Sequence, residues 1–171
     1  MKTNRFTLLI MFAGCFSAAA QEKEPPVLVV TTEEGGTVPL TAQDWAKLTR
    51  TKAQVKEKDG KEATFAGVSL VEVLRSAGVP FGEHLRGPRV ANYVVVEAAD
   101  GYRATFALAE IDPSTSDKLI LLVDRREGEA LAKESGPLRL IVPGDKIHSR
   151  WVRQVNWISV LKPPAAKGEK K

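Results

Sequence analysis

The chain has 171 residues and a formal net charge of +4, but its excess positive charge lies at the two ends. Residues 1–20 hold two basic and no acidic side chains, and residues 162–171 hold four lysines and one glutamate, which leaves residues 21–161 at −1. Nothing in a body of this charge suggests a nucleic-acid-binding face. Its two histidines, His84 and His148, are too few for a histidine-rich zinc site.

Residues 1–20 have the pattern of a secretory signal peptide: basic residues, the short apolar run 6–12, and three alanines ending at Ala20. Cleavage there predicts a periplasmic or secreted protein without a transmembrane segment. It would also remove Cys15, the only cysteine, and with it any disulfide or thiolate ligand. The alternative is a lipoprotein signal in which Cys15 becomes a lipidated N-terminus. We favour cleavage after Ala20, because Phe12 stands where such lipoprotein signals usually have leucine.

Residues 21–161 are predicted to form a single domain, followed by a disordered basic tail at 162–171. Branched and aromatic runs bounded by turn residues predict these strands, in chain order: 27–32, 37–40, 51–58, 61–65, 93–98, 102–107, 119–123, 138–142 and 157–161. Residues 80–88 are predicted to be loop. Strands outnumber helices in an irregular order, which predicts an α+β fold with mixed, mostly antiparallel sheets and a few short helices.

Local signals place the helices and turns. Thr41 begins a short helix with Asp44 as its capping partner, and Ser69 begins a second that runs to Ala77. A single helical turn is expected at 108–111. The pairs Asp59-Gly60 and Asp100-Gly101 each predict a two-residue hairpin turn.

The chain is organised around the predicted strand 138–142, which lies between two Pro/Gly pairs. Alternation predicts that either Leu140 with Val142, or Leu138 with Ile141, faces the core. Arg139 must therefore face solvent, a partner or a cavity, and we expect solvent.

A polar loop, residues 145–150, follows this strand and ends at Trp151. Lys146, Ser149 and Arg150 could converge on one anion with His148 at the edge, and Arg150 could hold a phosphate in two hydrogen bonds. The alternative is a solvated connection. The hairpin at Asp100–Arg103 is a second polar group, and it is more typical of an ordinary tight turn.

Motifs of the common enzyme classes are missing from the sequence. It has no Gly-x-Ser-x-Gly element, phosphate-binding loop or dinucleotide-binding glycine pattern, and its carboxylates form no recognisable acid–base pair.

An ordered set of segments resembles the molybdopterin-binding oxidoreductase domain of the sulfite oxidase family. The segments are Phe65–Leu70, Val73-Leu74, Ala77–Val79, Asp100–Tyr102, Leu119–Leu122, Gly128–Leu131, Gly136–Gly144, Arg150-Trp151 and Trp157–Val160. The resemblance implies the family's α+β fold with mixed sheets. In that family a pyranopterin with a phosphate and a dithiolene holds molybdenum, and a cysteine thiolate ligates the metal for oxo transfer or reduction.

The resemblance implies molybdopterin as a possible cofactor and places the pterin-holding residues here. Ser149 and Arg150 stand where the family has a serine and a lysine before tryptophan, so the implied cofactor-binding residues are Lys146, His148, Ser149 and Arg150. The chain departs from the family in having no cysteine after its leader and in being shorter than the full cofactor domain.

Two functions follow from this comparison. The first is an exported binding module for a pterin-type or other small anionic ligand, or for a protein partner, with molybdenum catalysis lost or dependent on a partner. The second is a periplasmic molybdopterin-dependent oxidoreductase. We favour the first, because the thiolate that anchors the metal is missing.

Overall fold

The computed structural model describes residues 24–165, which form two five-stranded β-sheets with three short α-helices. The strands are β1 Leu28–Thr31, β2 Thr37–Leu40, β3 Arg50–Lys56, β4 Glu62–Ser69, β5 Tyr93–Ala98, β6 Arg103–Ala107, β7 Leu121–Arg126, β8 Glu129–Ala130, β9 Arg139–Ile141 and β10 Val155–Leu161. The α-helices are α1 Ala42–Lys47, α2 Leu70–Ser76 and α3 Leu108–Ile111, and 3-10 turns occupy Gly82–His84, Gly87–Ala91 and His148–Arg150.

The first sheet has the strand order β2-β1-β10-β5-β6, and the second has β3-β4-β7-β8 with β9 also paired to β7. Among the described strands, only β1 and β10 pair in parallel; every other pair is antiparallel. The predicted α+β class with mixed, mostly antiparallel sheets is confirmed.

The two helix caps predicted from the sequence form as expected. Thr41 Oγ1 accepts from the amide of Asp44 and the Asp44 carboxylate accepts from the amide of Thr41, each at 3.2 Å, which closes the capping box of α1. Ser69 accepts from the amide of Glu72 at 3.4 Å and begins α2. Both hairpins are present, but their turns are three-residue loops and not the predicted two-residue turns, since Glu57 pairs with Lys61 and Ala98 with Tyr102. Within these turns only Gly60 and Gly101 have positive φ angles, of 86° and 84°.

Several predicted element bounds need correction: β4 runs on to Ser69, past the predicted end at residue 65, and β7 spans Leu121–Arg126 where residues 119–123 were predicted. Residues 80–88 contain 3-10 turns, strand β10 begins two residues before position 157, and the short strand β8 gave no sequence signal because it has only two residues. The predicted leader (1–20) and residues 166–171 of the predicted tail lie outside the described residues. Within residues 24–165, no helix has both the length and the apolar character needed to cross a membrane.

Strand β9 is buried on both faces, which corrects the predicted choice between its two sets of apolar residues. Leu138 is 2% exposed, and Leu140, Ile141 and Val142 are 0% exposed. Both edges of the strand are paired as well. Strand β7 pairs with one edge of β9, and on the other edge the amide of Leu140 donates to the carbonyl of Val152 at 2.7 Å.

Strands β4 and β7 approach very closely at Gly67. A Cβ atom there would lie 2.0 Å from the carbonyl oxygen of Leu122 and 2.4 Å from Cα of Val123. The register between the strands shifts at this residue. Glycine is therefore required sterically, since any side chain would push the two backbones apart.

Candidate functional site

A cleft of about 1110 Å³ lies between the tip of the β3–β4 hairpin and the polar loop that follows β9. We call residues 145–150 the site loop. The wall of the cleft contains six cationic side chains, from Lys56, Lys58, Arg126, Arg139, Lys146 and Arg153. It contains only three carboxylates, from Glu57, Asp59 and Asp145. Positive charge is therefore in excess in the cleft, although residues 21–161 together have a charge of −1.

Arg139 is one of the cations that line the cleft, and the expectation that it faces solvent is wrong. Its side chain is 12% exposed and lies over the rings of Phe65 and Trp151, with Cζ 5.6 and 5.4 Å from their centroids. The carboxylate of Glu57 is 3.7 Å away, too far for a hydrogen bond. The Nε atom is buried and has no hydrogen-bond partner.

Glu57 gives its closest contacts to another arginine. Its Oε2 atom accepts from Arg126 Nε at 3.1 Å and from Arg126 Nη2 at 2.5 Å. Burial lowers the pKa of Arg139, and the positive charges of Arg153 and Arg126 lower it further against the opposing effect of Glu57. Arg126 is thus paired with Glu57 while Arg139 is incompletely neutralised, and an anion in the cleft would relieve the repulsion at Arg139.

The site loop is held by backbone contacts at both of its ends. The carbonyl of Val142 accepts from the amide of Asp145 at 3.0 Å and from Nε1 of Trp151 at 3.1 Å. The ring of His148 stacks on Trp151 at a centroid distance of 3.7 Å. This arrangement places Lys146, His148 and Ser149, three of the four predicted binding residues, on the wall of the cleft.

The fourth predicted residue, Arg150, is not among the residues that line the cleft. Its guanidinium donates to both carboxylate oxygens of Asp145, at 2.9 and 2.6 Å, and to Oε1 of Glu110 at 3.3 Å. It also lies 4.7 Å from the ring centroid of Phe106. The hydrogen bonds to Asp145 raise the pKa of Arg150, although its partial burial opposes this.

The Asp100–Arg103 hairpin proves to contact the site loop and is not a separate site. The hydroxyl of Tyr102 donates to the carbonyl of Ser149 at 2.5 Å. Arg103 forms an ion pair with Glu97 on the neighbouring strand, with Nε and Oε2 2.6 Å apart.

Sequence reasoning missed Lys56, Lys58, Arg126 and Arg153 as cleft residues, because they come from the distant β3–β4 and β7–β8 hairpins and the segment after the site loop. The one usable signal was Arg139, a charge inside an apolar strand. Within residues 24–165, no three His, Cys, Asp or Glu side chains are grouped in a way that could hold a metal ion. The chemistry that this cleft supports is the binding of an anion.

The sequence profile of the oxidoreductase molybdopterin binding domain matches residues 38–168. The chain belongs to this family, which confirms the resemblance found in the sequence.

Among solved structures, the chain is similar to the sulfane dehydrogenase SoxCD from Paracoccus pantotrophus, with a TM-score of 0.60 and 18% sequence identity. The match covers 78% of this chain but only 37% of the SoxCD chain, and at this identity it supports the fold alone. No curated protein sequence matches the chain.

The cleft fits one part of the cofactor that the family implies. Its excess cations and the unpaired Nε of Arg139 suit the phosphate of a pyranopterin. The metal's thiolate ligand has no counterpart, because residues 38–168 contain no cysteine and Cys15 lies outside the described residues.

Proposed function

We propose that this chain is an exported binding module that holds a phosphate-bearing, pterin-type ligand in the cleft, and that it performs no molybdenum catalysis without a partner. One observation supports this proposal above the others: Arg139 is buried near the positive charges of Arg126 and Arg153, has Glu57 as its one opposing carboxylate, and keeps an unpaired Nε. Folding such a charge is costly unless a ligand completes its hydrogen bonds.

Each part of the cleft then has a role. Arg139, Arg126 and Arg153 attract the phosphate from the wall of the cleft. Lys146 and Ser149 contribute donors from the site loop, and His148, stacked on Trp151, gives a flat surface beside them. The anion-gripping role predicted for Arg150 is assigned in this proposal to Arg139, because the guanidinium of Arg150 already donates to Asp145 and Glu110.

Calorimetric titration with a phosphate-bearing pterin, and separately with inorganic phosphate, tests the proposal. Arg139→Met should weaken binding by about ten- to a hundredfold, the loss expected for a charge-assisted hydrogen bond of roughly 1.5–3 kcal/mol. The matched control is Arg103→Met, since Arg103 is paired with Glu97 and does not line the cleft. Equal affinities of the two variants, or no binding by the wild type, would refute the proposal.

Family membership favours a second candidate, a molybdopterin-dependent oxidoreductase in which another subunit supplies the thiolate. Metal analysis and turnover assays on protein purified from its native compartment separate the two. The binding module predicts less than stoichiometric molybdenum and neither sulfite oxidation nor sulfoxide reduction by this chain alone. Stoichiometric metal with turnover would establish the oxidoreductase.

The proposed export of the protein, with cleavage after Ala20, can be tested separately. The intact mass of the native protein should correspond to a chain that begins at Gln21 without lipid. A diacylated species beginning at Cys15 would place the protein on a membrane surface and overturn this part of the proposal.

A further inference from the structure

Arg150 joins the site loop to two other elements of the fold. Its hydrogen bonds to Asp145 close a ring within the loop, and its bond to Glu110 links that ring to α3. Its contact with Phe106 adds β6. Glu110 is itself fixed, because it accepts from Lys118 Nζ at 2.8 Å and from the amide of Ala107 at 3.2 Å.

A second fastening comes from the β5–β6 hairpin. The hydroxyl of Tyr102 donates to the carbonyl of Ser149, one residue before Arg150. The two fastenings hold the C-terminal half of the loop, while the Val142 carbonyl holds its two ends. Within the loop, the polar side chains of Lys146, His148 and Ser149 line the cleft without a hydrogen bond to a carboxylate, beside the exposed Ile147.

We infer that Arg150 is a positioning residue: together with Tyr102 it fastens the site loop so that Lys146, His148 and Ser149 meet the ligand in a fixed arrangement. The inference rests on the proposed function and identifies which residues of the site act without touching the ligand. Its physical basis is entropy, because a loop already ordered in the free protein loses less freedom on binding.

The positioning role and direct contact predict opposite results when Asp145 is changed. If Arg150 gripped the anion, Asp145→Asn would release its guanidinium and strengthen binding. If Arg150 positions the loop, the same change loosens the loop and weakens binding. Any change that removes a carboxylate from a cationic cleft also favours anions, so the comparison needs a charge-matched control. Asp59→Asn serves, because Asp59 lines the same cleft and does not contact Arg150.

The experiment titrates wild type, Asp145→Asn, Asp59→Asn, Tyr102→Phe and Arg150→Lys with a phosphate-bearing pterin. Relative to Asp59→Asn, Asp145→Asn should bind about two- to tenfold more weakly, the cost of ordering one or two side chains on binding. Tyr102→Phe should weaken binding in the same direction without changing any charge. Tighter binding by Asp145→Asn than by Asp59→Asn, or unchanged affinity in Tyr102→Phe, would overturn the inference.

Hydrogen exchange in the free proteins provides a readout that needs no ligand. The amides of residues 145–149 should exchange faster in Asp145→Asn, Arg150→Lys and Tyr102→Phe than in the wild type or Asp59→Asn. If the wild type binds no pterin but these amides exchange as predicted, the proposed function fails while the fastening stands. Unchanged exchange in all three variants would refute the fastening itself.

Discussion

Arg139 and Arg150 lie eleven positions apart, and the fold neutralises their guanidinium groups to very different degrees. Arg150 is 27% exposed in its side chain, and its guanidinium donates to two carboxylates, those of Asp145 and Glu110. Arg139 is 12% exposed, has one carboxylate at 3.7 Å, and keeps a buried donor without a partner. The more deeply buried of the two guanidinium groups is therefore the less neutralised.

This contrast shows how to distinguish an arginine that stabilises the fold from one that is available to bind a ligand. The fold itself satisfies Arg150, so replacing it should affect the shape and stability of the site loop. The fold leaves Arg139 short of partners, so replacing it should affect binding more than stability. The experiments below test this distinction, beginning with the largest expected change in the free energy of unfolding.

The largest effect should come from the strand on which Arg139 lies. Leu140 is fully buried at the centre of β9, so Leu140→Ala should lower the free energy of unfolding by roughly 2–5 kcal/mol through lost burial and a cavity. Thermal and urea melts measure it, with Ile141→Ala as a companion. If both variants melt like the wild type, the packing of β9 contributes little to stability. The burial of Arg139 on that strand would then be no argument for a binding role.

Asp112 is a buried carboxylate that receives its hydrogen bonds from the fold itself, so it is an acidic counterpart of Arg150. It is 1% exposed and accepts from the amides of Gly82 at 2.7 Å and Ser114 at 2.9 Å. Asp112→Ala leaves these donors without their acceptor and should cost about 1–3 kcal/mol. Asp117→Ala, on an exposed residue of the same loop, is the control and should cost little.

Asp112 should also affect stability in acid. Burial would raise the pKa of Asp112, but the hydrogen bonds from Ser114 and Gly82 outweigh burial and hold that pKa below its ordinary value. The contribution of this carboxylate to the free energy of unfolding is therefore complete above about pH 4, the ordinary pKa of an aspartate in the unfolded chain. It is lost as the pH falls through the lower pKa of the folded state. Asp112→Ala should accordingly show a smaller loss of stability than the wild type between about pH 4 and pH 2. A parallel pH profile would contradict the pKa assignment.

Arg150→Ala should have a moderate effect. Three charge-assisted hydrogen bonds and the contact with Phe106 are lost, but the side chain is partly exposed, so we expect about 1 kcal/mol. Denaturant melts measure the loss, and a double-mutant cycle with Asp145→Ala should show strong coupling. Additive effects of the two changes would mean that the ion pair contributes nothing.

Arg139→Met should have the smallest effect on stability. Methionine can fill the space against Phe65 and Trp151 without burying a charge, so the free energy of unfolding should change by less than about 0.5 kcal/mol or rise. A loss larger than that of Arg150→Ala would reverse the comparison and make Arg139 the structural arginine.

The sequence was sufficient for the class of fold and for most strands, because alternating apolar runs, Asp-Gly turns and the Thr41 and Ser69 caps are local signals. It was not sufficient for the partners of charged residues. Whether Arg150 meets a ligand or Asp145 depends on how the site loop folds back, and Glu110 lies forty residues away. The neutralisation of Arg139 depends on Glu57 and Arg126, which belong to the β3–β4 and β7–β8 hairpins and come close to Arg139 only in the folded protein.

The position of β10 has a consequence for how the protein is made. This strand pairs with both β1 and β5, so it lies in the middle of the first sheet although its residues, 155–161, come after every other strand of that sheet. No strand joins the two halves of the sheet, β2-β1 and β5-β6, until β10 has been made, and pairing between strands so far apart in sequence forms late. The second sheet, in contrast, uses no residue after Ile141, so we expect it to be able to form before the first sheet is complete.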